Sequence, residues 1–280
     1  MTMQKLKNII RYIAPKVLWD GARLVRIRTN NILFKARWVK HTYEGYELSV
    51  YISDPIAKEW YDKSDWKNQP EYSLLKKHQL KSGSTIFDLG AHQGVIACIL
   101  GNIIGNNGQI IAVEANPKNV EIAKKNINAN KLAEVIFPIH AAVAAHNGFL
   151  FFNENFNGQV CNNGNRLGKT QVPAIAIDSL TEKYGRPDIV VIDIEGYECS
   201  ALNGATQTLK FLPDFFIEVH SHQELSKYGG SVSQLLNFFP DDKFEILLWN
   251  YDKSSGFVQK KDFNLNTKKP FSLLALARYN

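Results

Sequence analysis

The sequence predicts an α/β protein whose core is a mainly parallel sheet with helices on both faces. Three observations lead there. Apolar runs at 85–87, 109–113, 135–139, 188–194 and 215–219 read as strands buried on both sides. Stretches with helical spacing alternate with them, the pattern of parallel strands joined by crossover helices. The first run leads into Asp88-Leu89-Gly90-Ala91-His92-Gln93-Gly94, with glycines where a strand turns into a helix and the backbone must approach a ligand closely.

Residues 1–70 read as an extension and 71–280 as the main domain. In the extension, Leu6, Ile9, Ile10, Ile13 and Val17 follow helical spacing, flanked by Lys5, Lys7 and Arg11, and Pro15 should kink or interrupt that helix. Residues 32–39 and 43–52 alternate as two strands joined as a hairpin at Glu44-Gly45. Trp60, Tyr61, Trp66 and Tyr72 crowd a polar stretch before a helix at 71–80. Such rings pack as a cap on the core, or one of them faces a cationic ligand.

In the main domain the second strand ends in Glu114, 24 residues beyond Gly90. Asn116-Pro117 then opens a helix, with Asn as N-cap, Pro at the first helical position, and Val120, Ala123 and Ile127 facing inward. The third strand runs into His140-Ala141-Ala142, where small residues leave room for a planar base or simply permit close packing. Strands are expected at 149–152 and 170–175. The Asn- and Gly-rich stretch 153–169 between them reads as a surface loop and a candidate substrate lid. Asp178 should cap a short helix. The fourth strand ends near Asp193, and Glu195-Gly196-Tyr197-Glu198 follows, then a helix with Leu202, Ala205 and Leu209 inward. The fifth strand ends in Glu218-Val219-His220. A helix at 231–239 and strands at 244–249 and 271–277 complete the pattern, the last two suited to an antiparallel hairpin that ends the sheet.

Charge is unevenly placed. Residues 1–41 hold ten Lys or Arg against one Asp, while the rest of the chain holds 23 against 26 acids, so the net +6 belongs to the N-terminal arm. A basic amphipathic segment over 1–28 lies on an anionic membrane surface, meets a lipid-linked substrate, or docks on the protein itself or a second subunit as a homo-oligomer. The mildly acidic main domain argues against nucleic acid as partner. No run of about 18 apolar residues exists to span a membrane, and the start lacks a signal peptide's apolar core. Cys98, Cys161 and Cys199 lack metal or redox spacing, which makes a reducing cytoplasm, or the inner surface of its membrane, the expected location.

The opening β-α-β-α unit is of nucleoside-binding type, with Glu114 placed to accept hydrogen bonds from both ribose hydroxyls. Its turn reads Asp-x-Gly-x-x-x-Gly instead of Gly-x-Gly-x-x-Gly. The dinucleotide fingerprint cradles a pyrophosphate on a bare helix N-terminus. Asp88 puts a carboxylate at that mouth, which repels phosphate and suits a cation. In this the chain is similar to class I methyltransferases, Rossmann-like enzymes that bind S-adenosyl-L-methionine, a sulfonium with an amino group and no phosphate.

FDLGAHQG (87–94), VEANP (113–117), IDSL (177–180), DIVVIDIEGYECSALNGA (188–205) and IEVH (217–220) together resemble the FkbM family of methyltransferases, and Glu71 fits the same pattern. The resemblance covers roughly 71–220. It implies methylation of a hydroxyl on a sugar, polyketide or other glycan-type small molecule, with S-adenosyl-L-methionine as cofactor. By the family's motifs Asp88, Gly90, Ala91, His92 and Gly94 form the cofactor turn, Glu114 with Ala115 holds the ribose side, and Ala142 lies by the base. Asp193 lies near the methionine amino group, and Glu71 also belongs to the cofactor set. His92 stands where the family often has Asn.

Methyl transfer is an in-line displacement at carbon, so the protein must align donor and acceptor and remove the acceptor's proton. Glu195, Glu218, His220 and His222 are the candidate bases; Glu195 and Glu218 are favoured because the motif fixes them at strand ends. Glu218-x-His220-x-His222 would put three ligands on one face only if the strand continued, and Ser221–Gln223 reads as loop, so no metal is assigned. A base-directed amino methyltransferase would carry Asn/Asp-Pro-Pro-aromatic where this chain has Asp193-Ile194-Glu195-Gly196. A nicotinamide dehydrogenase or a non-catalytic cofactor-binding protein are the remaining rivals.

Overall fold

A computed structural model describes residues 33–63, 66, 69–153, 159–160, 170–251, 256–265 and 267–278. The amphipathic segment expected at 6–17, the basic arm 1–28 and most of the candidate lid at 153–169 lie outside them. The described residues form two compact units, 33–39 with 51–63 and 40–50 with 66 and 69–278.

In the first unit the helix Pro55–Tyr61 starts where Asp54 accepts a hydrogen bond from the Ala57 amide at 2.8 Å, with Pro at its first turn. Trp38 and Tyr51 stack with ring centroids 5.2 Å apart. Strands β1 (Arg37–Tyr43) and β2 (Tyr46–Ile52) form a two-stranded sheet, and both turn residues, Glu44 and Gly45, have positive φ. That is the geometry of a two-residue hairpin turn. The first strand runs from 37 to 43 instead of the expected 32–39: the chain continues extended until the turn itself stops it.

In the second unit the helix at Pro70–Lys76 is shorter than the expected 71–80. Trp66 packs edge-on against Tyr43 and Tyr72 is buried, so these rings serve packing. The main sheet begins with β3 (Thr85–Leu89), β4 (Gln109–Glu114) and β5 (Ile136–His140), joined by the helices Val95–Ile104 and Pro117–Ala129. Asn116 caps the second helix through the Lys118 amide, as expected. A separate four-stranded sheet, in the order β6-β9-β7-β8, comprises β6 (Ala142–Val143), β7 (Gly148–Asn153), β8 (Gln159–Val160) and β9 (Thr170–Ile175). The short β8 falls inside the stretch expected to be all loop and pairs antiparallel with β7.

The chain returns through the helix Ile177–Tyr184, β10 (Ile189–Ile192), the helix Glu198–Asn203 and β11 (Asp214–Val219). Asp178 is not the cap of its helix. That position is Ala176, and Asp178 instead accepts hydrogen bonds from the Gln207 and Thr208 amides and the Thr206 and Thr208 hydroxyls. A carboxylate one residue inside the first turn reaches the neighbouring 3₁₀ turn better than its own N-terminus. After the helices His222–Lys227 and Val232–Asn237, β12 (Phe244–Trp249), β13 (Val258–Gln259) and β14 (Phe271–Ala277) close the sheet.

The eight strands run in the order β13-β12-β14-β11-β10-β3-β4-β5. β11, β10, β3, β4 and β5 are parallel; β14 enters antiparallel between β12 and β11. The expected C-terminal hairpin is present, with β13 as an unforeseen edge. β10 and β14 are buried along their whole length, which explains why their sequences are continuous apolar runs instead of alternating ones. Phe215, Phe239 and Phe244 form one aromatic knot, centroids 4.9 to 6.4 Å apart. Among the described residues no helix is long and apolar enough to cross a membrane.

Candidate active site

Strand register sets the site. Leu89 pairs with Val113 on one side and Ile192 on the other, and Ile192 pairs with Ile217, so the carboxyl ends of β3, β4, β10 and β11 stop at one level. Asp88 sits one residue below that level; Glu114, Asp193 and Glu218 sit one above it. The rim outside these strand ends is where open α/β sheets bind ligands.

At the ends of β3 and β4, the turn after β3 is held by its neighbours. The Gly90 and Ala91 amides donate to the Val113 carbonyl at 2.8 and 3.0 Å, and the Asp193 amide donates to the Leu89 carbonyl at 2.9 Å. Gly90 has φ 94°, and a Cβ there would stand 1.8 Å from the Asp193 carbonyl oxygen. Gly94, φ 72°, begins the helix, and a Cβ there would lie 2.9 Å from the Ala123 Cβ. Only glycine permits both approaches. His92 also takes positive φ, 48°, and its amide donates to Glu114 Oε2 at 2.9 Å. The position needs a left-handed backbone and gives its N–H to Glu114, a conformation Asn also tolerates.

Glu114 accepts that bond and a second, from the Asn116 amide to Oε1 at 2.7 Å. Burial raises its pKa and these amides pull it back. The Asn119 side chain and the Ala115 amide add further hydrogen bonds, so protein donors meet most of its four or so lone-pair positions. Asp88 is 3 % exposed, and its Oδ2 is buried with no hydrogen-bond partner. Burial, and then the Glu114 charge, push its pKa up to about 7. A buried carboxylate with an unmet oxygen at the mouth of a glycine turn calls for a cationic or hydrogen-bond-donating ligand. Cys98, pushed up to about 12 by burial and the nearby Asp88, is a packing residue and no nucleophile. Ala115 and Ala142 meet in a small apolar cluster with Val172 and Leu150, and the His140 Nε2 lies 3.0 Å from the Ala115 carbonyl.

At the ends of β10 and β11, His220 is 7 % exposed. Its Nδ1 lies 2.7 Å from Glu198 Oε1, while Nε2 faces Glu195 Oε2 at 3.4 Å and Asp193 Oδ1 at 3.8 Å. Burial alone would lower its pKa; Glu195 and Glu198 overturn that and push it up to about 11. Asp193 keeps 47 % of its side-chain surface accessible, and the protein packed around it still displaces part of its water. That loss of water and the Glu218 charge raise its pKa, against the pull of His220. Glu218 is raised by burial, His220 and a hydrogen bond with Tyr251 opposing. Glu71 has a buried Oε2 with no hydrogen-bond partner, and burial, then the Glu44 and Glu218 charges, move it up to about 7 against the pull of its own backbone. Glu44 and Glu218 are thus the carboxylates that act on it.

The structure thus brings together Asp88, Gly90, Ala91, His92, Gly94 and Glu114 on one side, and Asp193, Glu195, Glu218, His220 and Glu71 on the other. It removes His222, which starts a helix and lies with Nε2 2.9 Å from the Leu265 carbonyl. The sequence reading passed over Glu198, which is 0 % exposed, accepts from the Gly196 amide at 3.0 Å and orients His220. The signal was present: Glu198 shares the helical stripe of Leu202, Ala205 and Leu209, and an acid on a buried stripe needs a partner.

A family model described as Methyltransferase FkbM domain matches residues 88–246, more than half of the chain. Hexuronic acid methyltransferase AglP from Haloferax volcanii is 22 % identical over 163 residues, 56 % of this chain and 64 % of that protein. Protein-L-isoaspartate O-methyltransferase from Thermotoga maritima is 26 % identical over 98 residues, 34 % of this chain and 31 % of its own. The chain therefore spans less than two thirds of the length of these curated relatives. A crystal structure of methyltransferase FkbM from Methylobacillus flagellatus KT aligns at 16 % identity with a TM-score of 0.43, covering 69 % of this chain and 43 % of that one.

Proposed function

The chain belongs to the FkbM methyltransferase domain family, and we propose that it transfers the methyl group of S-adenosyl-L-methionine to a hydroxyl of a sugar, glycan or polyketide-type small molecule. The observation that carries the donor is the orphaned Oδ2 of Asp88 beside the Gly90 approach and the Glu114 amide cradle. The sugar-type acceptor is supported by the hexuronic acid methyltransferase relative. The division into an extension through residue 70 and a catalytic domain from 71 belongs to the same reading, as does contact of the basic 1–28 arm with a lipid-linked acceptor.

Bound S-adenosyl-L-methionine supplies an electrophilic methyl on sulfur. In this assignment Glu114, at the end of β4, faces the ribose hydroxyls. Asp88 and Asp193 offset positive charge, and Ala115 with Ala142 packs beside the base. Methyl transfer consumes the acceptor's lone pair and frees its proton, which must go to a base within hydrogen-bond reach. His220, already protonated in its carboxylate surroundings, is a poor receiver; its role is to hold and orient the acceptor with Glu195. Glu218, at the strand end and beside Tyr251, takes the proton. Calorimetry with S-adenosyl-L-methionine, S-adenosylhomocysteine and NAD tests the donor. Binding of the first two and not of NAD is expected, and the reverse would end the assignment. Mass spectrometry of methylated product from a panel of neutral sugars, uronic acids and hydroxylated polyketides tests the acceptor.

A further inference from the structure

Asp193, Glu195 and His220 offer three different ligand atoms, all within 4.8 Å of one another. Donors bonded to one first-row cation at about 2.1 Å stand roughly 3–4 Å apart, the range in which His220 Nε2 faces Glu195 Oε2 and Asp193 Oδ1, at 3.4 and 3.8 Å. These separations are long for direct hydrogen bonds and short enough for a shared ion.

Two independent observations point to a cation. The first is the histidine's support. Glu198, fully buried, takes Nδ1 at 2.7 Å and so aims Nε2 at the two carboxylates, the carboxylate–histidine arrangement that fixes a ligating imidazole. Its Oε1 also accepts from the Gly196 amide, while its second oxygen, Oε2, is buried with no hydrogen-bond partner. The second is charge balance. Among the described residues, Asp193, Glu198 and Glu218 make no ion pair with a Lys or Arg, and their shared cationic neighbour is His220. Several carboxylates around one imidazole leave the crevice short of positive charge.

We propose that Asp193, Glu195 and His220 hold one divalent first-row cation, of Mn²⁺ or Zn²⁺ type, with coordination positions left open on the acceptor side. Two oxygen donors and one imidazole suit this class of ion, and the half-exposed Asp193 leaves room for further oxygen ligands. The cation replaces the imidazole proton in the same carboxylate field. Asp193 has a second oxygen for the cofactor. Under the proposed methyl transfer the open positions take the acceptor's hydroxyl together with a neighbouring oxygen, which fixes the acceptor and favours loss of its proton. That last step rests on the proposed function; the cation site itself does not.

The test uses the full chain, stripped with chelator and titrated with Mn²⁺ while free ion is followed by electron paramagnetic resonance. One site per chain is expected, with electron spin-echo modulation from a directly bonded imidazole nitrogen. Asp193→Asn and Glu195→Gln should each weaken it at least about tenfold, and His220→Gln should abolish the nitrogen signal. Circular dichroism accompanies each variant, and where His220→Gln fails to fold, Glu195→Gln decides. Absence of stoichiometric binding by both Mn²⁺ and Zn²⁺ would overturn the proposal. So would binding without a nitrogen signal, or binding indifferent to Asp193→Asn and Glu195→Gln. S-adenosyl-L-methionine calorimetry on the same samples separates the two readings: cation bound and cofactor ignored keeps this site and removes the methyltransferase assignment, and the converse does the opposite.

Discussion

The α-carbon of Gly90 and the carbonyl of Asp193 approach so closely that a single methyl on Gly90 would stand 1.8 Å from the carbonyl oxygen. The two residues lie at the ends of neighbouring parallel strands, so the glycine turn after β3 leans directly on the first residue beyond β10. Gly90→Ala should therefore cost at least about 2 kcal/mol, from the positive φ together with the clash. Urea unfolding should show the loss, and calorimetry should show weakened S-adenosyl-L-methionine binding. A variant of unchanged stability would mean the two strand ends separate freely.

Asp88 gives a pH dependence with a defined sign. Its folded pKa, about 7, lies above the ordinary 3.8. Between those values the folded state binds the proton that the unfolded state has lost, so stability of the ligand-free protein should fall as pH rises from about 4 to 7 and level off above. The contribution is up to about 4 kcal/mol. Asp88→Asn should flatten that slope in thermal melts. The same substitution should remove the strengthening of S-adenosyl-L-methionine binding expected as pH rises through about 7.

His92→Asn should be nearly silent. The position supplies a left-handed backbone and an amide to Glu114, both of which Asn provides. Glu114→Ala, by contrast, strands the His92 and Asn116 amides and the other donors gathered on that carboxylate, and should lower cofactor affinity at least about tenfold. Calorimetry of the pair decides it: equal losses would show that the imidazole itself contacts the ligand.

At the opposite end of the sheet, Asp214 is fully buried, with both oxygens 3.0 Å from His78 Nδ1 and one accepting from the Ala277 amide at 2.9 Å. Asp214→Ala should cost about 3 kcal/mol by leaving these partners unmet. The S-adenosyl-L-methionine dissociation constant of the folded variant should stay within about twofold. A selective loss of binding would place this pair in communication with the rim.

The parallel half of the sheet and the donor turn were legible because their physics is local. Apolar runs, an Asn-Pro helix start and glycines at a strand end each act within a few residues. The acceptor crevice was only half legible. Glu195, Glu218 and His220 could be placed at strand ends, but that Glu198 reaches back to His220 depends on a helix and a strand 22 residues apart. Asp178 failed as a cap because its partners, Thr206 to Thr208, come from a turn about 30 residues on. His222, a candidate base, leaves the rim because Ser221 caps a helix through the Glu224 amide and turns the chain off the strand.

β14 lies inside the sheet, between β12 and β11, although it follows both in the chain. Until Phe271–Ala277 has been made, β11 keeps a raw edge and β12 has only the short β13 beside it, so the rim at the end of β11 cannot be completed before that strand arrives. A translation product halted at 270 would carry a slot through the middle of its hydrophobic layer, which proteases and chaperones would recognise, instead of a merely shortened margin.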